Sequence, residues 1–80
     1  MNDTEIINRL SELLGDLLGD DTIKLTPETT RSDVPDWDSF QYVNFIVAVE
    51  VEFGIQFNVA DAESFDTIAD VVAEIQSLKG

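Results

Sequence analysis

The sequence contains no cysteine and no histidine, and each absence excludes a kind of chemistry. Without cysteine, no disulfide stabilises the fold and no thiolate is present to bind a metal or act as a nucleophile. Without histidine, the usual general base near neutral pH is missing, so serine–histidine and cysteine–histidine pairs are excluded. We therefore expect a non-catalytic protein on which other enzymes act.

Basic residues are also scarce, with 4 against 17 acidic residues and a net charge of −13. Such a charge repels nucleic-acid phosphates and anionic lipid headgroups, so we expect neither nucleic-acid binding nor membrane insertion. It favours a basic protein partner, although a role in solubility alone is equally consistent with it. The segment "MNDTEIINRL" lacks the parts of a signal peptide, and no run reaches the roughly 18 apolar residues of a membrane span. We expect a cytoplasmic monomer.

Apolar residues recur at spacings of three and four in two segments, which predicts an amphipathic helix near each end of the chain. The first helix runs from Thr4 to about Leu18, with Asn2 or Asp3 as its cap and Gly19 as its C-terminal stop. The last helix has Asp66 as its predicted cap. Its apolar positions are Ile68, Val71, Val72, Ile75 and Leu78.

The segment from Asp20 to Asp38 has no sustained hydrophobic periodicity and contains both prolines, which predicts a long loop. A loop of this length in a small domain tends to be functional. "TPET" at 26–29 favours one helical turn, and we expect Trp37 to pack its ring over the loop or the next element. The aspartates of "DVPDWD" lack the spacing and the glycine of a calcium-binding loop, so no metal site is predicted. The apolar residues expected to pin the loop to the core are Ile23, Leu25 and Val34.

The segment "SFQYVNFIVAVEVEF" is ambiguous, because the alternation in "VAVEVEF" is typical of a strand. Three features favour a helix from Ser39 to Phe53. Asp38 and Gln41 have the spacing of a capping box, the apolar run has helical length, and Gly54 lies where a C-terminal cap belongs. With a short helical turn around Val59 to Glu63, the sequence predicts a single all-α domain over 1–80, with three longer helices and one short one.

The central helix would be apolar on two sides. Its first stripe comprises Tyr42, Phe45, Ile46, Val49 and Phe53. Its second stripe comprises Phe40, Val43, Val47 and Val51, with Asn44 beside it. One side must face the other helices. The second is either a further core face or an exposed docking patch, because a helix that is apolar all round is often simply buried.

The whole pattern resembles the acyl carrier proteins over nearly its full length. "DSF" at 38–40 resembles the family's Asp-Ser-Leu signature. "VAVEVEFGIQF" resembles the stretch that ends the family's second helix, and "SFDTIADVVAEI" resembles the start and core of its last helix. The long loop before the serine also lies where the family has one.

The resemblance implies a four-helix bundle in which Ser39 carries 4′-phosphopantetheine and Asp38 flanks the attachment site. A phosphopantetheinyl transferase would move this group from coenzyme A to the hydroxyl, using Mg²⁺ held by the transferase. The thiol of the arm would then hold acyl groups as thioesters, which agrees with a chain that has no thiol and no histidine of its own. The other partners implied are an acyl- or aminoacyl-activating ligase, an acyltransferase or a ketosynthase.

By the same resemblance, the helix from Ser39 docks on basic patches of partner enzymes. The residues assigned to docking are Trp37, Phe40, Gln41, Val43, Asn44, Val47, Glu50 and Val51. Gln41, Asn44 and Val51 stand where housekeeping fatty-acid carriers usually have acidic residues, which favours a carrier dedicated to a specialised pathway. "DSF" also resembles the D-alanyl carrier proteins, so an aminoacyl or peptidyl carrier loaded by an adenylating ligase is the alternative. An acidic helical interaction module whose serine is never modified is the alternative from another class.

The resemblance further suggests that the interior of the bundle sequesters an acyl chain. The predicted lining is Phe45, Ile46, Val49, Phe57, Phe65, Ile68 and Val72. Because several of these side chains are bulky phenylalanines, we expect a small or absent cavity in the unloaded form.

Overall fold

Four α-helices and one short 3-10 turn make up the regular structure of residues 2–79, which the computed structural model describes. They are α1 (Asp3–Leu18), α2 (Ser39–Phe53), α3 (Val59–Ser64) and α4 (Ile68–Lys79). No strand occurs between residues 2 and 79, so the strand interpretation of "VAVEVEF" is wrong. The predicted all-α fold with three longer helices and one short helix is confirmed.

The predicted caps form at both ends of α1 and α2. The Asn2 side chain accepts a hydrogen bond from the Glu5 N–H, and the Asp38 side chain accepts one from the Gln41 N–H. Gly19 and Gly54 end the two helices in the left-handed conformation, with φ of 67° and 65°. Glycine adopts this conformation without the steric cost of a Cβ.

The start of α4 differs from the prediction. The helix begins at Ile68, and within residues 2–79 no N–H group of its first turn donates to the Asp66 carboxylate, so Asp66 does not cap it. The N–H groups of Asp66 and Thr67 donate to the Asp70 carboxylate. The first free N–H groups of the helix donate instead to the long loop. Ile68 bonds the Thr29 carbonyl at 3.0 Å and Ala69 bonds the Pro27 carbonyl at 2.9 Å. The loop therefore takes the place of a side-chain cap.

The loop from 20 to 38 is ordered by contacts along its length. Leu25 is buried, and Ile23 and Val34 pack against the core, as predicted. "TPET" forms a single turn closed by a 3.1 Å bond from the Thr29 N–H to the Thr26 carbonyl. A 3-10 turn at Arg31–Asp33 follows, which the sequence did not predict. These contacts hold the loop beside the start of α2.

The core is a single cluster to which all three longer helices contribute. α1 packs against both α2 and α4. The buried apolar side chains are Ile6, Leu10, Leu14, Leu25, Trp37, Phe45, Ile46, Val49, Phe53, Phe57, Ile68, Val71, Val72 and Ile75. In the described part of the chain, none of the helices has both the length and the apolar character needed to traverse a bilayer.

Candidate functional site

Ser39 is the first residue of α2 and is exposed. Asp38 orients this end of the helix, because its carboxylate accepts the Gln41 N–H and its carbonyl accepts the Tyr42 N–H at 2.8 Å. The first N–H groups of a helix have no acceptor within the helix and form the positive end of its dipole. The Ser39 hydroxyl therefore lies on the surface at a position that favours a negatively charged group.

A groove with a volume of about 750 Å³ lies beside Ser39. It is bounded by the loop after the 26–29 turn, the first turns of α2 and the end of α3. Its lining residues are Thr30, Arg31, Ser32, Trp37, Ser39, Tyr42, Val43, Glu63, Phe65 and Asp66. The groove combines aromatic surface with charges of both signs.

Tyr42 connects the elements that form this groove. Its hydroxyl donates to the Ala62 carbonyl at 2.7 Å, which joins α2 to α3. The Arg31 guanidinium lies 5.3 Å from the centre of the Tyr42 ring, which joins the loop to α2 through a cation–π contact. Burial raises the pKa of the Tyr42 phenol, and the charge of Arg31 partly offsets this rise. The phenol is therefore protonated at physiological pH and can donate the hydrogen bond to the Ala62 carbonyl.

Trp37 lies in the core, whereas a residue that contacts a partner enzyme must lie on the surface. Its side chain is only 5% exposed, so a partner enzyme has almost no access to it. The indole packs edge-on against Phe45 at 5.2 Å between ring centres and against Tyr42 at 6.0 Å. The expected packing of the ring over the next element is confirmed, and the docking role is corrected. A large aromatic ring buries more apolar area in the core than any smaller side chain, which explains its position.

Phe40, Val43, Val47 and Val51 form an exposed band along α2, here named the outer stripe. Their exposed fractions are 73%, 60%, 51% and 79%. This exposure excludes the core alternative for these residues. Beside the stripe, Asn44 donates to the Gln41 side chain at 3.3 Å, and both amides are partly buried. The outer stripe begins directly after Ser39.

Glu50 has a structural contact that the sequence did not indicate. Its carboxylate is partly buried and accepts the Phe57 N–H at 2.7 Å. The bond closes the connection between α2 and α3, and the docking role of Glu50 stays a prediction. Its neighbour Glu52 is also engaged, because Arg9 of α1 donates to it at 2.8 Å.

The side chains predicted to line an acyl pocket divide between core and groove. Six of them belong to the buried core, namely Phe45, Ile46, Val49, Phe57, Ile68 and Val72. Phe65 is partly buried, lines the groove and packs edge-on against Phe57 at 5.4 Å between ring centres. Their role as the lining of an acyl pocket stays a prediction.

Sequence reasoning missed Arg31 and assigned Tyr42 to the core stripe alone. Arg31 lies in a segment without periodicity, and its approach to Ser39 depends on how the loop folds back over α2. The one available signal was composition, because Arg31 is one of only four basic residues in the chain.

Comparison with known proteins supports a carrier function for the chain. The family model described as "Phosphopantetheine attachment site" matches residues 8–75. The chain is 34% identical to the acyl carrier protein of Lactobacillus acidophilus over the full length of both proteins. It is 33% identical to the acyl carrier protein of Thermosynechococcus vestitus, over 90% of this chain and 89% of the relative.

A solved structure shares the fold. The solution structure of the holo acyl carrier protein of Geobacter metallireducens superposes with a TM-score of 0.84 at 27% identity, over 92% of this chain and 85% of that one. Family, relatives and fold therefore agree on a non-catalytic carrier with a 4′-phosphopantetheine prosthetic group. The chain belongs to the acyl carrier protein family.

Proposed function

We propose that the Oγ atom of Ser39 is the attachment point of 4′-phosphopantetheine, and that the loaded protein presents acyl thioesters to partner enzymes. The observation that carries this proposal is an exposed serine at the first position of α2, inside the region that the family model matches. The neighbouring groove leaves room for an arm to depart from the hydroxyl. The residues present therefore fit the group.

The attachment reaction needs little from this chain beyond the hydroxyl. A bond forms between Ser39 Oγ and the phosphorus of coenzyme A that bears pantetheine, the bond from that phosphorus to the nucleotide breaks, and the hydroxyl proton passes to a base of the transferase. When bound, the group supplies the thiol that this cysteine-free chain lacks. Asp38 contributes by fixing the helix start through its bond to the Gln41 N–H.

The outer stripe is the surface we assign to partner enzymes. Its side chains are exposed and apolar, and they continue along the helix from the proposed attachment point. Interfaces commonly have an apolar centre with charges at the rim, and the acidity of this chain supplies a negative rim that suits a basic partner. An arm attached at Ser39 would then leave from the edge of the docked surface.

We further propose that the partners belong to a specialised pathway. The first turn of α2 contains no acidic residue, and the partly exposed or exposed positions Gln41, Asn44 and Val51 carry no charge. Docking here would depend more on apolar contact than on charge attraction. An aminoacyl cargo loaded by an adenylating ligase remains the second candidate, on the resemblance of "DSF" to D-alanyl carriers.

The attachment proposal is tested by intact mass after incubation with coenzyme A, Mg²⁺ and a promiscuous phosphopantetheinyl transferase. We expect one phosphopantetheine on the wild type and none on Ser39→Ala. Ser32→Ala is the matched control, because Ser32 also lines the groove but lies on the loop. Loading of Ser39→Ala, or loss of loading in Ser32→Ala alone, would contradict the proposed attachment point.

The specialised-pathway proposal is tested by restoring charge on α2. We expect the loaded wild type to be a poor substrate for an acyltransferase of fatty-acid synthesis, and the combined change Gln41→Glu, Asn44→Glu and Val51→Glu to increase kcat/KM. Electrostatic steering of this kind raises association rates by about tenfold or more. High kcat/KM for the unchanged protein would show instead that it serves fatty-acid synthesis.

A further inference from the structure

We propose that Arg31 binds the phosphate group through which the prosthetic arm is joined to Ser39. The inference rests on the proposed attachment at Ser39 and adds a residue of the long loop to the site. Arg31 would position the first part of the arm in the groove, next to the aromatic surface of Tyr42.

The geometry places Arg31 and Ser39 on the same groove. Both residues line it, one from the 3-10 turn of the loop and the other from the start of α2. Tyr42, one helical turn after Ser39, has the Arg31 guanidinium over its ring at 5.3 Å. Residues three apart on a helix share a face, so the guanidinium lies on the side of α2 from which the Ser39 side chain emerges.

The groove beside Ser39 contains more negative than positive charge, so a phosphate bound there requires a nearby cation. Among the groove-lining residues between 2 and 79, Arg31 alone is positively charged, whereas Glu63 and Asp66 are negative. The Asp38 carboxylate caps the same end of α2. A phosphodiester adds a further negative charge to a protein whose net charge is already −13. Arg31 would offset the repulsion that this charge meets.

The Arg31 guanidinium is also available for a new partner. Within residues 2–79, the ion pairs shorter than 4.0 Å join Arg9 to Glu12 and Glu52, and none involves Arg31. Its contact with Tyr42 is a cation–π contact at 5.3 Å to the ring centre, and no hydrogen bond of the Arg31 side chain occurs within residues 2–79. A guanidinium with free edge donors matches two phosphate oxygens at once, which a lysine does not.

The experiment follows the arginine side chains by NMR before and after loading with coenzyme A and a phosphopantetheinyl transferase. The chain has two arginines, so Arg9, which is held by Glu12 and Glu52, serves as an internal reference. We expect the Nε–Hε signal of Arg31 to shift on loading and that of Arg9 to stay in place. We also expect the Arg31 shift to decrease at high salt, because this surface pair is screened.

The phosphorus signal of the loaded protein provides the second measurement. We expect it to differ between wild type and Arg31→Gln, to be partly restored in Arg31→Lys, and to be unchanged in the matched control Arg9→Gln. Circular dichroism of each unloaded variant checks that the fold is retained.

The outcomes separate this inference from the proposed attachment. No added mass on the wild type would overturn both. Normal loading with an unchanged Arg31 signal and an unchanged phosphorus signal in Arg31→Gln would overturn the Arg31 inference alone. Slower loading of Arg31→Gln with an unchanged phosphorus signal would also overturn it, because Arg31 would then contact the transferase rather than the phosphate.

Discussion

The two apolar faces of α2 are similar in composition and opposite in environment. The inner face, made of Phe45, Ile46, Val49 and Phe53, belongs to the buried cluster. The outer stripe carries a phenylalanine and three valines and is exposed for at least half of each side chain. Apolar side chains left in water contribute nothing to the stability of the fold. The difference therefore separates residues that maintain the fold from residues that remain available to a partner.

The largest expected effect comes from a matched pair of phenylalanines on these two faces. Phe45→Ala removes a fully buried ring, and we expect it to lower the free energy of unfolding by about 3–5 kcal/mol. Phe40→Ala removes an exposed ring, and we expect a change within about 0.5 kcal/mol. Urea unfolding followed by circular dichroism measures both, and Phe45→Leu serves if Phe45→Ala does not fold. Equal losses for the two alanine variants would show that the faces do not differ as described.

An intermediate effect is expected from charge placed on the outer stripe. Val47→Glu should lower kcat/KM for loading by a phosphopantetheinyl transferase about tenfold, which corresponds to roughly 1.4 kcal/mol of lost binding. Leu78→Glu is the control, because it adds the same charge at an exposed apolar position on α4. Stability should stay close to that of the wild type in both variants. If both variants load equally slowly, net charge rather than the outer stripe determines recognition.

The smallest effect concerns Tyr42, which is partly buried and borders the groove. Because burial raises the pKa of this phenol above its ordinary value of about 10, the folded state holds the proton more tightly than the unfolded state. The resulting stabilisation is fully present below that ordinary value and is lost as the pH rises through the folded-state pKa. We expect wild-type stability to fall more steeply above pH 10 than that of Tyr42→Phe. Stability is measured by denaturant unfolding at each pH. Parallel curves of stability against pH for the two proteins would contradict a raised pKa of Tyr42, since Tyr42 is the sole tyrosine.

Prediction from the sequence succeeded where the determining interactions are local. Asp38 and Gly54 define the ends of α2 through contacts within one helical turn, so their spacing was sufficient to place Ser39 at the first helical position. The start of α4 was predicted incorrectly because its first N–H groups bond to carbonyls about 40 residues earlier. No local spacing contains that information.

Composition and spacing showed a chain with no thiol and no histidine and favoured a helical fold with a serine at the head of its most apolar helix, and the resemblance of its motifs to a known family implied a carrier. Only the tertiary structure decided which face of that helix is buried, that Trp37 belongs to the core, that Glu50 bonds the Phe57 N–H, and that Arg31 borders the groove beside Ser39. The physical reason is the sequence separation of the residues that interact. Caps and helical periods arise between residues three or four apart, whereas burial and the approach of the loop depend on elements that meet only after the chain has folded.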